Sequence, residues 1–164
     1  MEELLALLQG GLHSRESVQD ILSVNQETAK HGIVFTPRQA AALMNARDRA
    51  LHASGRLELY GGVMKKLILA FIGSPYFERD LQEETLCALI ETFYLLKSET
   101  FDALSDDELI AAMRELFDGA CRGCIELMQD AAYEQLVRRA HGAVHAGDEE
   151  GEEQNDGWGY DFNE

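Results

Sequence analysis

Apolar residues recur at helical spacing along most of the chain. Leu4, Leu5, Leu7 and Leu8 predict a short first helix that Gly10-Gly11 ends. Behind Ser14, a helix-capping residue, Val18, Ile21, Leu22, Asn25 and Ala29 fall on one face, and Gly32 is placed as the left-handed residue that closes this helix. Thr36-Pro37-Arg38-Gln39 is a capping box with proline in the first turn, so a helix is expected over 37–54, with Ala40, Leu43, Met44, Arg47, Ala50 and Leu51 inward. The run 63–72 is a short apolar helix that Gly73-Ser74-Pro75 breaks. Asp80 with Glu83 predicts the next start, ahead of a stripe of Leu81, Thr85, Ala88, Leu89, Thr92, Phe93 and Leu96. Ser105 with Glu108 predicts another, ahead of Leu109, Ala112, Met113, Leu116 and Phe117. A last helix is expected over 120–141, with Gly142 closing it.

Two segments break the helical pattern. Residues 33–35 favour extended backbone, and 56–60 alternate polar with apolar side chains as a half-exposed strand does. Pairing 33–35 with 57–60 gives one short two-stranded ribbon, which needs helices against it to persist. The expected fold is therefore mainly α: a single-domain bundle of about six or seven helices over 1–146, with that ribbon and no internal repeat.

Composition adds a second region. The 164 residues carry a formal net charge of −16. Eight of the 30 acids lie in 147–164, where there is no lysine or arginine, leaving 22 acids against 14 bases in the first 146 residues. The segment 147–164 reads as an acidic tail that cannot bury enough apolar surface to fold alone. It also holds Trp158, Tyr160 and Phe162, residue types that anchor protein interfaces, and these are the candidate partner-binding residues. An acidic field repels nucleic-acid backbones and anionic lipid, so the expected partner is another protein, a basic one for preference. No run is long enough to span a membrane, and the start Met1-Glu2-Glu3 lacks the charge of a signal peptide, so a cytoplasmic protein is expected.

Chemistry-bearing patterns are few. Cys121-Arg122-Gly123-Cys124 has metal-like and redox-like spacing, yet a zinc site needs a second pair and a redox pair usually follows a strand. Cys121 and Cys124 therefore read first as helix-packing residues, with redox or metal roles as alternatives, and no cofactor is expected. The five histidines form no metal-binding pattern, Gly61-Gly62 lacks the following lysine and hydroxyl of a phosphate loop, and no nucleophile elbow occurs. Arg47, Arg56, Glu58 and Lys66 form a candidate ion-pair or anion cluster, with an ion-pair network preferred. Acids such as Asp106, Asp107 and Glu108 sit in first helical turns, where they complement the helix dipole.

Gly32-Ile-Val-Phe-Thr-Pro, Arg47, Gly55-Arg56-Leu-Glu58-Leu, Lys66-Leu-Ile and Phe71-x-x-Ser74-Pro75-Tyr76 form a further pattern, continued by Leu104-Ser-Asp-Asp-Glu-Leu-Ile and Phe117-Asp118-Gly119. Together these resemble a domain of unknown function found in small bacterial proteins, mainly of Gram-positive anaerobes. The resemblance spans roughly 22–125, implies no activity and no catalytic residue, and leaves the tail outside. The functional expectation is a non-enzymatic interaction protein, adaptor or regulator. The alternatives are an acidic inhibitor that mimics nucleic acid before a basic protein, and a small enzyme or anion binder built on Arg47, Arg56 and Glu58.

Overall fold

The computed structural model describes residues 15–58 and 62–149. The expected helix at 4–8, the Ser14 cap, Leu59, Tyr60 and the aromatic residues of the tail lie outside the described residues. Helix α1 (Arg15–Leu22) buries Val18 and Ile21. The chain then turns at Ser23 and winds through Asn25–Thr28 and a 3-10 turn, Ala29–His31, so the single helix expected here is broken after Leu22. Gly32 ends it at φ +74, the left-handed conformation its sequence position requires.

Helix α2 (Pro37–Ala53) opens on the expected capping box, with the Gln39 amide donating to Thr36 Oγ1 and the Thr36 amide to Gln39 Oε1. It buries Ala40, Leu43, Met44, Ala46, Arg47, Ala50 and Leu51. Helix α3 (Gly62–Phe71) is followed by a break at Gly73-Ser74-Pro75. Helix α4 (Gln82–Glu99) starts later than expected. A 3-10 turn, Arg79–Leu81, occupies the position of the Asp80–Glu83 box, and Leu81 precedes the helix with no side-chain cap.

Helix α4 is the axis of the bundle, packed against α2, α3 and the later helices α5 (Asp106–Asp118) and α6 (Ile125–Ala132). A central helix buries more than one stripe, which is why Leu86, Ile90 and Tyr94 are inside together with Leu89, Phe93 and Leu96. Alanines on the α2 face let these two helices lie close. Helices α3 and α5 meet through Phe71 and Phe117, both fully buried, in an edge-to-face pair with centroids 5.3 Å apart. Such a pair adds about 0.5–1.5 kcal/mol to the burial of its rings. The α5 start is the expected Ser105/Glu108 capping box.

The last helical stretch departs from expectation at both ends. Gly119 to Cys124 form turns, with Arg122 and Gly123 both at positive φ, so the helix begins at Ile125. A π-helical turn, Tyr133–Val137, then feeds α7 (Arg138–Glu149), which continues through Gly142. Cys121 and Cys124 therefore lie in a turn and not on a helix.

The two-stranded ribbon does not form: no strand occurs among the described residues. Side chains take some of the backbone groups that pairing would have used, and the Ile33 amide donates to the Thr28 carbonyl. The Asn25 carboxamide accepts from the Phe35 amide at 2.8 Å and donates to its carbonyl at 2.9 Å, acting as one rung of a ladder. Across the molecule, Arg47 Nη2 donates to the Glu58 carbonyl at 3.2 Å. Ile33 and Phe35 still alternate with exposed Val34, so the sequence alternation is real while the partner strand is replaced by side chains.

Candidate functional site

The residues singled out around α2 are brought together in part. Arg47 sits on the inner face of α2 and is only 6% exposed. Gly55, at φ +62, turns the chain back so that Glu58 returns beside it, with Arg47 Nη2 3.6 Å from Glu58 Oε1. Tyr94, from the middle of α4, donates its hydroxyl to Glu58 Oε2 at 2.6 Å. Burial, and then this bond to a carboxylate, push the Tyr94 phenol well above its ordinary value. Tyr94 is thus a fixed donor that holds Glu58 against Arg47.

Arg56 lies on the same edge but turns to the α4–α5 connection. Its guanidinium grips both oxygens of Asp102, at 2.6 and 3.1 Å. The hydrogen bond from Arg56 holds the Asp102 carboxyl below its usual range, and Asp102 holds the Arg56 guanidinium above its own. Phe101 and Asp102 both adopt positive φ, at +54 and +56. Left-handed backbone is tolerated by aspartate and disfavoured for phenylalanine, so this connection is strained. Contacts on either side hold it: Asp102 against Arg56, and the Phe101 ring tilted over His141 with centroids 4.8 Å apart. Lys97, at 2.9 Å from Asp106, completes the rim of a hollow of about 270 Å³ between the 56–58 segment and α4.

Lys66 does not join this cluster. It points from α3 to Asp107 on α5, 3.0 Å away, in an exposed ion pair of the kind worth about 0–1 kcal/mol. Tyr94, Lys97, Asp102 and Asp106 are the members that sequence reasoning missed. The hollow is charge-matched. Arg56 and Lys97 line it together with Glu58 and Asp106, so it carries no excess of positive charge for an anion. The ion-pair network is what the described geometry supports here.

A second network explains another motif. Ser74 Oγ donates to Asp118 Oδ1, Arg114 Nε donates to Asp118 Oδ2 at 2.6 Å, and Arg114 also donates to the Ala70 carbonyl. These bonds tie the end of α3 to the end of α5, so Ser74-Pro75-Tyr76 and Phe117-Asp118-Gly119 are halves of one structural joint.

The segments containing these joints fall in one stretch of sequence, and residues 20–145 match the family of unknown function DUF6323. The chain belongs to that family. No curated protein and no solved structure matches it. Membership covers the charged cluster, both capping boxes and the Cys121–Cys124 turn, and it brings no assigned activity.

A second concavity also involves α2. A groove of about 430 Å³ runs between α2 and α4, lined by Ala50, Ala53 and Leu95 together with Arg49, Glu91 and Glu99. Leu95 is 51% exposed although it sits on the central helix of the bundle. Arg49 is engaged with Glu91 at 3.2 Å, which leaves Glu99 as the excess charge. Ser98 Oγ, beneath the groove, is buried without a hydrogen-bond partner. Among the described residues no group of three or more His, Cys, Asp or Glu side chains converges for a metal, and no helix is long and apolar enough to cross a membrane.

Proposed function

We propose that this protein works in the cytoplasm by binding another protein, and that the α2–α4 groove receives a basic amphipathic helix of that partner. The observation that carries the reading is Leu95. An exposed leucine on the central helix, in a groove shared with small alanines and with Glu99 in charge excess, matches the way an amphipathic helix is seated in a groove. The partner's basic face is favoured by Glu99, the charge left in excess beside the Arg49–Glu91 pair, and by the net charge of −16. Trp158, Tyr160 and Phe162 of the acidic tail supply further contacts to the same basic partner in this reading.

The test is affinity capture with the full chain, a Leu95→Asp variant and a Leu127→Asp control on the outer face of α6. Leu127 is exposed to a similar degree, so its variant controls for a new surface charge. The proposal expects a partner held by wild type and control and lost with Leu95→Asp, with its bound segment mapping to a basic helix. Equal recovery by all three proteins sinks it, as does a bound segment that is acidic.

A further inference from the structure

The Cys121–Cys124 segment is the cluster of nucleophilic side chains that neither the charged network nor the groove uses. Its geometry is a hydrogen-bonded turn. Cys124 N donates to the Cys121 carbonyl at 2.9 Å, and the two residues between them, Arg122 and Gly123, have φ of +47 and +83. Successive positive φ values at the central positions are the mark of a type I′ turn. A β-turn holds the α-carbons of its first and fourth residues within about 7 Å. A disulfide spans α-carbons about 4.4–6.8 Å apart. On an α-helix these two cysteines would instead be one turn apart on a helical surface, as the sequence alone suggests.

The turn is anchored as well as compact. Cys121 N donates to the Leu116 carbonyl at 3.2 Å and Gly123 N to the Phe117 carbonyl at 2.8 Å, which ties the turn to the end of α5. Met128 N donates to the Cys124 carbonyl at 3.1 Å, which ties it to the start of α6. A β-carbon on Gly123 would lie 2.8 Å from Tyr76 Cβ, so this residue is pressed against the α3–α4 connection and only glycine fits there. The two thiols differ in access. Cys121 is buried, while Cys124 is half-buried, precedes α6 and donates its thiol to Glu126 Oε2 at 3.3 Å.

We propose that Cys121 and Cys124 form a dithiol site that reacts with small-molecule disulfides and closes to an intramolecular disulfide. Cys124 reacts first, as the thiolate formed when its proton is lost to water. Its sulfur attacks one sulfur of the reagent; the reagent's S–S bond breaks, and one thiolate leaves and takes up a proton. Cys121 then loses its proton and attacks the Cys124 sulfur, expelling the second reagent thiol. Two protein thiols are oxidised to one disulfide, and the reagent disulfide is reduced to two thiols. The role assignment follows from access: Cys121 is buried and Cys124 is half-buried. Cys87 lies elsewhere, on α4, and burial pushes its thiol up to about 11, so it serves as an internal reference.

The experiment treats the full chain with oxidised glutathione, quenches it with acid, alkylates it in denaturant and measures intact mass and tryptic peptides. The proposal expects loss of two of the three thiols, no retained glutathione, and Cys87 alkylated. Trypsin cleaves after Arg122, so the flanking peptides stay joined until reduced. Cys121→Ser is expected to retain glutathione on Cys124, and Cys124→Ser to retain none. Stable glutathione on Cys124 of the wild type overturns the proposal, as does linkage through Cys87 or between two chains. Peptide mapping of the wild type gives the linkage even where a variant fails to fold.

Discussion

Replacing Glu58 with alanine removes the carboxylate that faces a guanidinium inside the bundle. The Arg47 side chain is 7% exposed and that of Glu58 28%, so the pair is neither a surface bridge nor a fully dry one. At 3.6 Å, with an effective dielectric constant near 20, two unit charges attract by roughly 4–5 kcal/mol. Water reaching Glu58 screens part of this, and desolvation of Arg47 is not recovered when the partner is removed. The Tyr94 hydroxyl also loses its charged acceptor, a bond worth about 1.5–3 kcal/mol before water replaces it. Together these set the expected loss at about 2–3 kcal/mol, or a fall in melting temperature of roughly 5–10 °C. Tyr94→Phe keeps the charges and loses only the hydroxyl, so it is expected to cost about 1 kcal/mol. Denaturant unfolding of wild type, both single variants and the double variant forms a cycle. Coupling between the two changes is expected, since they share one carboxylate. Glu58→Ala within about 0.5 kcal/mol of wild type, with additive singles, refutes the idea that this carboxylate holds Arg47 and Tyr94 together.

Asp102→Asn tests the other arm of the cluster. The folded Asp102 carboxyl is held below its ordinary value by Arg56, so its stabilising contribution is present above the unfolded carboxylate range near ~4 and lost as pH falls through the lower folded value. Wild type is therefore expected to exceed Asp102→Asn at neutral pH, by under about 1 kcal/mol because the pair is partly exposed, with the gap closing only in acid. A gap that widens in acid contradicts this sign. Ser105→Ala removes the side-chain acceptor at the start of α5 and is expected to cost about 1 kcal/mol in denaturant unfolding. No loss there means that water replaces the cap at no cost.

Much of the helical layout was legible because it rests on local chemistry. Thr36 with Gln39 and Ser105 with Glu108 cap the helices their spacing announces, and Gly32 and Gly55 close helical segments in left-handed conformation. Local rules failed where a distant group or a turn took over. Asp80 with Glu83 has the spacing of a cap, but the 3-10 turn before α4 displaces it. The 33–35 run has strand character, but the Asn25 carboxamide takes the Phe35 backbone groups, and no local pattern announces a side chain ten residues upstream in that role. The helix expected from 120 gives way to a turn at Arg122, a residue type that gives no warning of positive φ.

The charged cluster was half legible for a similar reason. Arg47 and Glu58 lie on either side of one glycine turn, so their meeting follows from short-range geometry. Tyr94 and Asp102 arrive from 36 and 46 residues away, and only the packing of α4 against α2 delivers them. Lys66 carried no sign that it would face α5. The groove was invisible in the helical pattern: Leu95 lies outside the inward stripe of its helix, and nothing local shows that α2 alanines lie beside it.

The proposed interaction stands or falls with that leucine. The most direct measurement is the affinity of the captured partner's basic segment for wild type and for Leu95→Asp, by titration at low and high salt. The account predicts a loss of more than about tenfold on substitution, of the order seen when a central apolar anchor is removed. It also predicts weaker wild-type binding at high salt, because the excess acidic charge contributes. Unchanged affinity in Leu95→Asp would contradict it.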